Sequence, residues 1–311
     1  MSELDGQIWM DGSFCDWKDA KIHILTHTLH YGTGVFEGVR AYETDKGPAI
    51  FRLEDHTDRL FNSAKLIGMN IPFTKDVLMK AQCDAVNINN LKNAYIRPLC
   101  FYGNEGMGLR ADNLKIHCAI AAWDWGPYLG EDKIINGIKI KVSSFPKRTE
   151  MAMLYKAKAT GNYLNSMLAL KDALNDGYDE ALILGTDDSV NEGSGENFFL
   201  IKNNKLITPD LSTVLDGITR KTIIALAEDL DIQNEALFKE AQEQGLAKPP
   251  PITERKTVKI ERYTEQLARE MDDKNAEYAP EIEPQAAPAP KVKREEKVGL
   301  MQMKLEHNKK S

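Results

Sequence analysis

A lysine set among small residues, Lys156-Ala157-Lys158-Ala159-Thr160-Gly161-Asn162-Tyr163, is the first place in this chain where chemistry can begin. Small neighbours let a bulky ligand approach Lys158 and strip water from its amine. A desolvated amine is a nucleophile; a solvated surface lysine is the plainer reading. Glu192 and Glu196 flank Gly193-Ser194-Gly195 after an apolar run. Carboxylates on such a loop can meet a cationic ring nitrogen, or simply face water. Gly217-Ile218-Thr219 opens a helical pattern. Free N–H groups and the positive dipole end make a helix start a seat for phosphate, and equally an ordinary cap.

Other patterns are weaker. Gly32 to Gly38 spells GxGxxxG, without the GxGxxG spacing or the preceding strand of a dinucleotide loop. His23, His27 and His30 stand four and three apart, but no carboxylate completes a ligand set, so no metal site is expected. Cys15, Cys83, Cys100 and Cys118 form no CxxC pair and read as reduced thiols. What remains is an amine, a carboxylate for a ring nitrogen and a phosphate seat, the parts needed to hold pyridoxal phosphate.

Elements that alternate between strand and helix must position these residues. Asp11-Gly12 predicts a hairpin between Gln7–Met10 and Gly12–Phe14, and Phe36 to Phe51 reads as strands around Asp45–Pro48. Leu60, Ala64 and Ile67 share a face of a helix over 55–68; Leu78, Ala81, Ala85 and Ile88 share one over 75–88. Tyr95–Tyr102 reads as a strand in which Pro98 implies an edge or a bulge. Lys115–Trp123, Ile138–Val142 and Glu180–Leu184 are further strands, and Phe198–Lys202 with Lys205–Thr208 a hairpin. Val190–Asn197 reads as a loop. Helices are expected over 162–174 and 219–230, the latter aligning Ile223, Ala227 and Leu230.

The chain has 311 residues and a net charge of −7, with 42% hydrophobic and 28% charged residues, a balance that suits about two soluble domains. The acidic charge argues against nucleic-acid binding. No apolar run reaches the ~18 residues of a membrane helix, and Met1–Asp11 does not read as a secretory signal, so a cytoplasmic protein is expected. The predicted organisation is a small α/β domain over 1–125, a connection over 126–136, a large domain over 137–248 and a Pro/Ala-rich charged tail over 249–311. Seven of the thirteen prolines fall in that tail, which makes partial disorder the expectation there.

Several segments, taken in order, resemble the branched-chain amino acid aminotransferases, class IV (fold-type-IV) pyridoxal-phosphate enzymes. They are Tyr31-Gly32-Thr33-Gly34-Val35-Phe36-Glu37-Gly38-Val39-Arg40, Arg59-Leu60-Phe61-Asn62-Ser63-Ala64-Lys65, Tyr95-Ile96-Arg97-Pro98, Gly106-Met107-Gly108-Leu109 and Trp125-Gly126-Pro127-Tyr128. Ala157–Leu164, Asn191–Asn197 and Gly217–Arg220 complete the set, which runs from about residue 5 to 232. The resemblance implies a two-domain α/β (α+β) fold with the cofactor at the domain interface. It implies that Lys158 forms the Schiff base and carries the proton between substrate Cα and cofactor C4′. Glu192 is implied for the pyridine nitrogen, Tyr163 for the ring hydroxyl, and Arg59 with the Ile218 and Thr219 amides for the phosphate. Tyr95 and Arg97 are implied for substrate carboxylates, and Phe36, Trp125 and Tyr128 for the apolar pocket. Tyr31 and Leu109 match positions donated by a neighbouring subunit, hence a homodimer or larger homo-oligomer.

The implied reaction is ping-pong transfer of the amino group of L-leucine, L-isoleucine or L-valine to 2-oxoglutarate. D-Amino acid aminotransferase and aminodeoxychorismate lyase share the fold; the Tyr31–Arg40 segment and the Tyr95/Arg97 pair favour the branched-chain type. One departure stands out. The family continues past its Gly-Ile-Thr helix with a strand and a Gly-Thr-Ala loop, whereas residues 233–311 read as a Glu/Lys/Gln-rich helix and a Pro/Ala tail. Weakened cofactor binding, a large domain short of part of its core, or an inactive remnant are the corresponding expectations.

Overall fold

The computed structural model describes residues 5–126, 133, 136–149, 152–202, 205–212 and 214–229, with backbone alone at 233–236. A seven-stranded antiparallel sheet holds β1 (Gln7–Met10), β2 (Ser13–Asp16), β3 (Gly34–Phe36), β4 (Val39–Thr44), β5 (Gly47–Ile50), β6 (Ala94–Tyr102) and β7 (Ile116–Trp123). Its order is β2-β1-β7-β6-β4-β5, with β3 also on β6. The first hairpin turns on Asp11 and Gly12, both at positive φ, which is what a two-residue turn between twisted strands requires.

Pro98 lies inside the sheet, not at an edge. β6 is paired on both sides, and Pro98 falls where its partner changes from β4, at Ile96, to β3, at Leu99. The missing N–H sits at that break, so no ladder bond is lost. Strand alternation then sorts β6: Ala94, Ile96 and Cys100 enter the core, while Tyr95, Arg97 and Leu99 take the other face.

Helices α2 (Leu53–Leu66) and α3 (Lys75–Ile88) cover the core face. Leu60, Ala64, Leu78, Ala81, Ala85 and Val86 bury against Val39, Ile96 and Ile120. Ile88, expected on the buried stripe of α3, is 45% exposed. Thr74 caps α3 by accepting the Val77 N–H at 3.3 Å. The short α1 (His27–Tyr31) ends at Gly32.

Two smaller sheets follow. β8 (Ile140–Val142) runs parallel to β9 (Glu180–Leu184), which pairs antiparallel with β10 (Val190–Gly193). α4 (Tyr163–Asn175) buries Ala169 and Ala173 on this sheet against Ala181 and Ile183. The stretch expected as a loop over 190–197 thus begins as a strand. A bulge between Val190 and Glu192 lets its polar residues pair with β9 out of simple alternation. β11 (Leu200–Lys202) and β12 (Lys205–Thr208) form the expected hairpin. α5 (Ile218–Asp229) follows, and β13 (Gln233–Ala236) adds parallel to β12. A strand therefore follows α5, where a helix was expected; backbone pairing with β12 overrides the polar composition of Gln233–Glu235. The expected tail over 249–311 and most of the connection over 126–136 lie outside the described residues.

The Lys158 segment is tied to the first sheet by main chain. Val35 bridges Ala159, the Phe36 N–H donates to Lys158 O at 3.1 Å and the Gly161 N–H to Gly32 O at 3.0 Å. Gly32 has φ +66°, and a Cβ on it would lie 2.8 Å from the Gly161 Cα. Gly32→Ala is therefore expected to cost about 1–3 kcal/mol and to lower the melting temperature by several degrees. Thermal denaturation checks this, and an unchanged melting temperature would refute the close approach.

Candidate active site

Lys158 follows the small residue Ala157 and is anchored at its backbone, where its N–H donates to Ser63 Oγ at 2.9 Å. Its amine donates to the Tyr163 hydroxyl at 2.6 Å and sits 5.0 Å from the Phe36 ring centre and 5.1 Å from that of Tyr163. Burial pulls the amine down to about 8, against the opposing charge of Glu37. Burial also pushes the Tyr163 phenol well above its ordinary value. The pair therefore offers an amine with a substantial neutral fraction beside a neutral hydroxyl.

Phe36 links this pair to the outward face of β6. The Arg97 guanidinium lies 4.7 Å over the Phe36 ring and 5.2 Å from the Tyr95 ring, and donates to the Tyr95 hydroxyl at 2.6 Å. Arg97 Nε is buried without a partner. Tyr95 meets Trp125 edge-on at 4.8 Å. The result is a cation held against an aromatic wall, suited to a carboxylate with an apolar tail.

Lys158, Tyr163, Glu192, Leu215, Lys147 and Tyr155 line one cavity. Glu192 comes from β10, accepts from Lys147 on Oε1 and takes the Leu215 N–H on Oε2 at 3.2 Å.

Arg59 lies on α2. It grips Glu37 with Nε at 2.7 Å from Oε1 and a terminal nitrogen at 2.8 Å from Oε2. Its other terminal nitrogen donates to Asp216 O at 3.0 Å, two residues before α5 begins at Ile218. Arg52 donates to Ile218 O at 3.1 Å and to Thr222 Oγ1 at 2.9 Å. Arg59 on α2 and Arg52 just before it thus hold the first turn of α5, whose leading N–H groups lack intrahelical acceptors. Ile218 is buried and Thr219 exposed.

These residues fit a known family. Residues 34–243 match amino-transferase class IV. A branched-chain-amino-acid aminotransferase of Pseudomonas aeruginosa is 54% identical over 229 residues, 74% of this chain and 75% of that one. The chain belongs to the branched-chain-amino-acid aminotransferases of class IV. The crystal structure of the Escherichia coli branched-chain amino acid aminotransferase superposes with a TM-score of 0.74 at 42% identity, covering 75% of this chain and 77% of that one. The branched-chain amino acid aminotransferase of Thermobaculum terrenum, in its PLP-form, does so at 0.69 and 34%, covering 75% and 76%.

Of the positions singled out by the aminotransferase resemblance, Phe36, Lys158 and Tyr163 come together, and Tyr95, Arg97 and Trp125 adjoin them through Phe36. Glu192 shares the Lys158 cavity, and Arg59 reaches the segment ahead of Ile218. Tyr31 and Leu109 are not among the residues lining that cavity. They lie together on the surface, 39% and 90% exposed, joined by the Gly108 N–H on the Tyr31 hydroxyl at 3.2 Å. Tyr128 lies outside the described residues. The three histidines make no metal set: His27 bonds Thr33 Oγ1 and Gly108 O, and no metal-holding group occurs among the described residues. No helix among them is long and apolar enough to cross a membrane.

Sequence reasoning missed Lys147, Glu37 and His56. For His56 a signal existed. His56, Arg59 and Ser63 recur at helical spacing on α2, a polar stripe beside the apolar one in which His56 and Ser63 are buried.

Proposed function

We propose that this chain transfers the amino group of L-leucine, L-isoleucine or L-valine to 2-oxoglutarate, with pyridoxal phosphate held at Lys158. The observation that carries the reading is the Lys158 amine, lowered to about 8 and hydrogen-bonded to Tyr163, beside an arginine on an aromatic wall. The donor set fits the cofactor group for group: amine for aldehyde, phenol for ring hydroxyl, carboxylate for ring nitrogen, guanidinium and helix start for phosphate.

Pyridoxal phosphate supplies, when bound, an aldehyde that accepts amines and a ring that takes up the electron pair left at Cα. Glu192 keeps that ring's nitrogen protonated. Arg59 and the Ile218 and Thr219 amides bind the phosphate. Arg97, steered by Tyr95, binds the substrate carboxylate, and Phe36, Tyr95, Trp125 and Tyr128 exclude water around an apolar side chain. The neutral Lys158 amine would take the proton from the substrate Cα and return it on the cofactor side, and Tyr163 would orient that amine. One site then serves both substrates, because the aromatic wall takes a leucine-type chain and the arginine beside it takes the second carboxylate of a five-carbon diacid. Tyr31 and Leu109 belong to this reading as residues offered to a second copy, which makes the active form at least a dimer. The division into two domains about residues 126–136 belongs to it as well.

The test is the visible spectrum of the chain with pyridoxal phosphate, before and after L-leucine, with D-leucine as control. A bound-cofactor band that L-leucine shifts and D-leucine does not is the expected result. Saturating cofactor is also expected to add about 2.7 kcal/mol at a hundredfold excess over Kd, seen as a rise in melting temperature. A spectrum of free cofactor with an unmoved melting temperature would leave an inactive remnant, and a response to D-leucine alone would transfer the chain to the D-specific branch.

A further inference from the structure

Lys147 is a buried cation that the proposed function leaves without a task. Beyond β8 the chain continues alongside β9: the Ser143 N–H meets Leu182 O at 2.9 Å and the Lys147 N–H meets Leu184 O at 2.8 Å. This register brings the Lys147 side chain, 6% exposed, onto Glu192. Nζ donates to Oε1 and lies 4.5 Å from the Tyr155 ring centre. Oε2 is held from another direction by the Leu215 N–H at 3.2 Å. Each carboxylate oxygen therefore has one fixed donor, and each keeps a lone pair for a further one. The carboxylate cannot turn without breaking both bonds. The bulge before Glu192 sets the strand out of simple register at this point, a device that re-aims a side chain.

A lysine at such a depth is costly. Burial pulls its ammonium down, and the Glu192 charge opposes that. The pair lines the same cavity as Lys158 and Tyr163. Its charge therefore acts where the cofactor would be held.

We infer that Lys147 is the positioning residue of Glu192, balancing the carboxylate's charge inside the cavity and fixing the plane in which it accepts a ring N–H. The inference rests on the proposed function, because it takes Glu192 as the partner of the ring nitrogen. Removing Lys147 leaves a buried carboxylate uncompensated. That loss weakens cofactor binding through Glu192.

Equilibrium titration of the full chain with pyridoxal phosphate tests this. Lys147→Met is expected to raise Kd about tenfold or more, in the range seen when a supporting partner of a ligand group is lost, while Lys147→Arg stays within about threefold because the charge is kept. On a Glu192→Gln background, Lys147→Met is expected to change Kd by less than about twofold, since a residue acting through another has no effect once that partner is gone. An equal penalty on both backgrounds, or no penalty in the parent chain, overturns the inference and leaves the proposed function standing. No binding by the unaltered chain overturns the proposed function and the inference with it. Should Lys147→Met fail to fold, the neutral pair Lys147→Met/Glu192→Gln decides. Recovery of the fold when both charges are gone supports the coupling, and a chain that stays unfolded refutes it.

Discussion

Lys158→Ala is expected to abolish amino transfer from L-leucine, by on the order of a thousandfold or more, while the melting temperature stays level or rises. The two readouts move apart for a physical reason. Activity needs an amine that bonds the cofactor aldehyde and then carries a proton, and alanine offers neither. Stability gains, because the packed site disfavours the charged amine. The sign follows from burial having lowered Lys158 to about 8 from 10.5. Below pH 8 the amine is charged in both folded and unfolded chains, and the fold bears the full cost of desolvating it. That cost fades as pH rises from about 8 to 10.5. The same displacement predicts the rate of cofactor capture. Capture needs the neutral amine, so the initial growth of the visible band should climb about tenfold per pH unit below 8 and level off above it. Lys158→Arg, charged throughout, should show no capture. Turnover of L-leucine by Lys158→Ala, or a capture rate that keeps rising toward pH 10.5, would remove Lys158 from its proposed role.

Lys158, Glu192 and the Gly217-Ile218-Thr219 start could be singled out because each sits in a short run whose residue types restrict one another, whereas Tyr163 and Arg59 entered only through the family resemblance. Small residues surround the lysine, glycines follow the carboxylate, and a helix start follows a glycine. The strand–helix alternation of the first 125 residues was legible for a similar reason. Apolar periods of two and of about 3.6 are local, and α3 and β9 fall where those periods put them. Lys147 was not legible. It stands 45 positions before Glu192, and only the register of its segment along β9, continued through Ser143 and Lys147, brings the two together. Strand β10 was hidden by its composition, since Asn191, Glu192 and Gly193 look like a loop until a bulged pairing with β9 supplies their backbone partners. β13 was hidden likewise, its polar residues held by main-chain pairing with β12. Pro98 was expected at an edge or a bulge and lies at neither, because the break falls in the neighbouring strands, between β4 and β3, and not in its own.

Glu37→Gln is expected to destabilise the chain by about 3–5 kcal/mol at neutral pH, the usual cost of breaking a buried ion pair from one side. Glu37 is completely buried. It receives the Arg59 fork on both oxygens and meets His56 Nδ1 at 2.8 Å. Burial alone would raise its carboxyl, but the hydrogen bonds from Arg59 and His56 outweigh that and hold it at about 2. A carboxyl depressed from 4.5 to about 2 contributes about 3 kcal/mol of stability. That contribution is fully present above pH 4.5 and is lost as pH falls toward 2. Other carboxylates titrate in the same window, so the informative quantity is the difference between the parent and Glu37→Gln, measured by urea denaturation at a series of pH values. The difference should be largest at neutral pH and should shrink between about 4.5 and 2, because glutamine has no proton to take up. A difference that stays constant across that window would mean that Glu37 is not the charged centre of the cluster. The consequence reaches the site, because Arg59 is fixed by Glu37 on one side and reaches Asp216 O, just ahead of α5, on the other. Without the carboxylate its guanidinium is a buried cation with a freed fork, and the phosphate seat loses its fixed geometry. Cofactor affinity should therefore fall together with stability in Glu37→Gln, whereas Lys147→Met weakens the cofactor through Glu192 at the other end of the ring. In a double variant the two penalties on Kd should add, since the clusters share no partner.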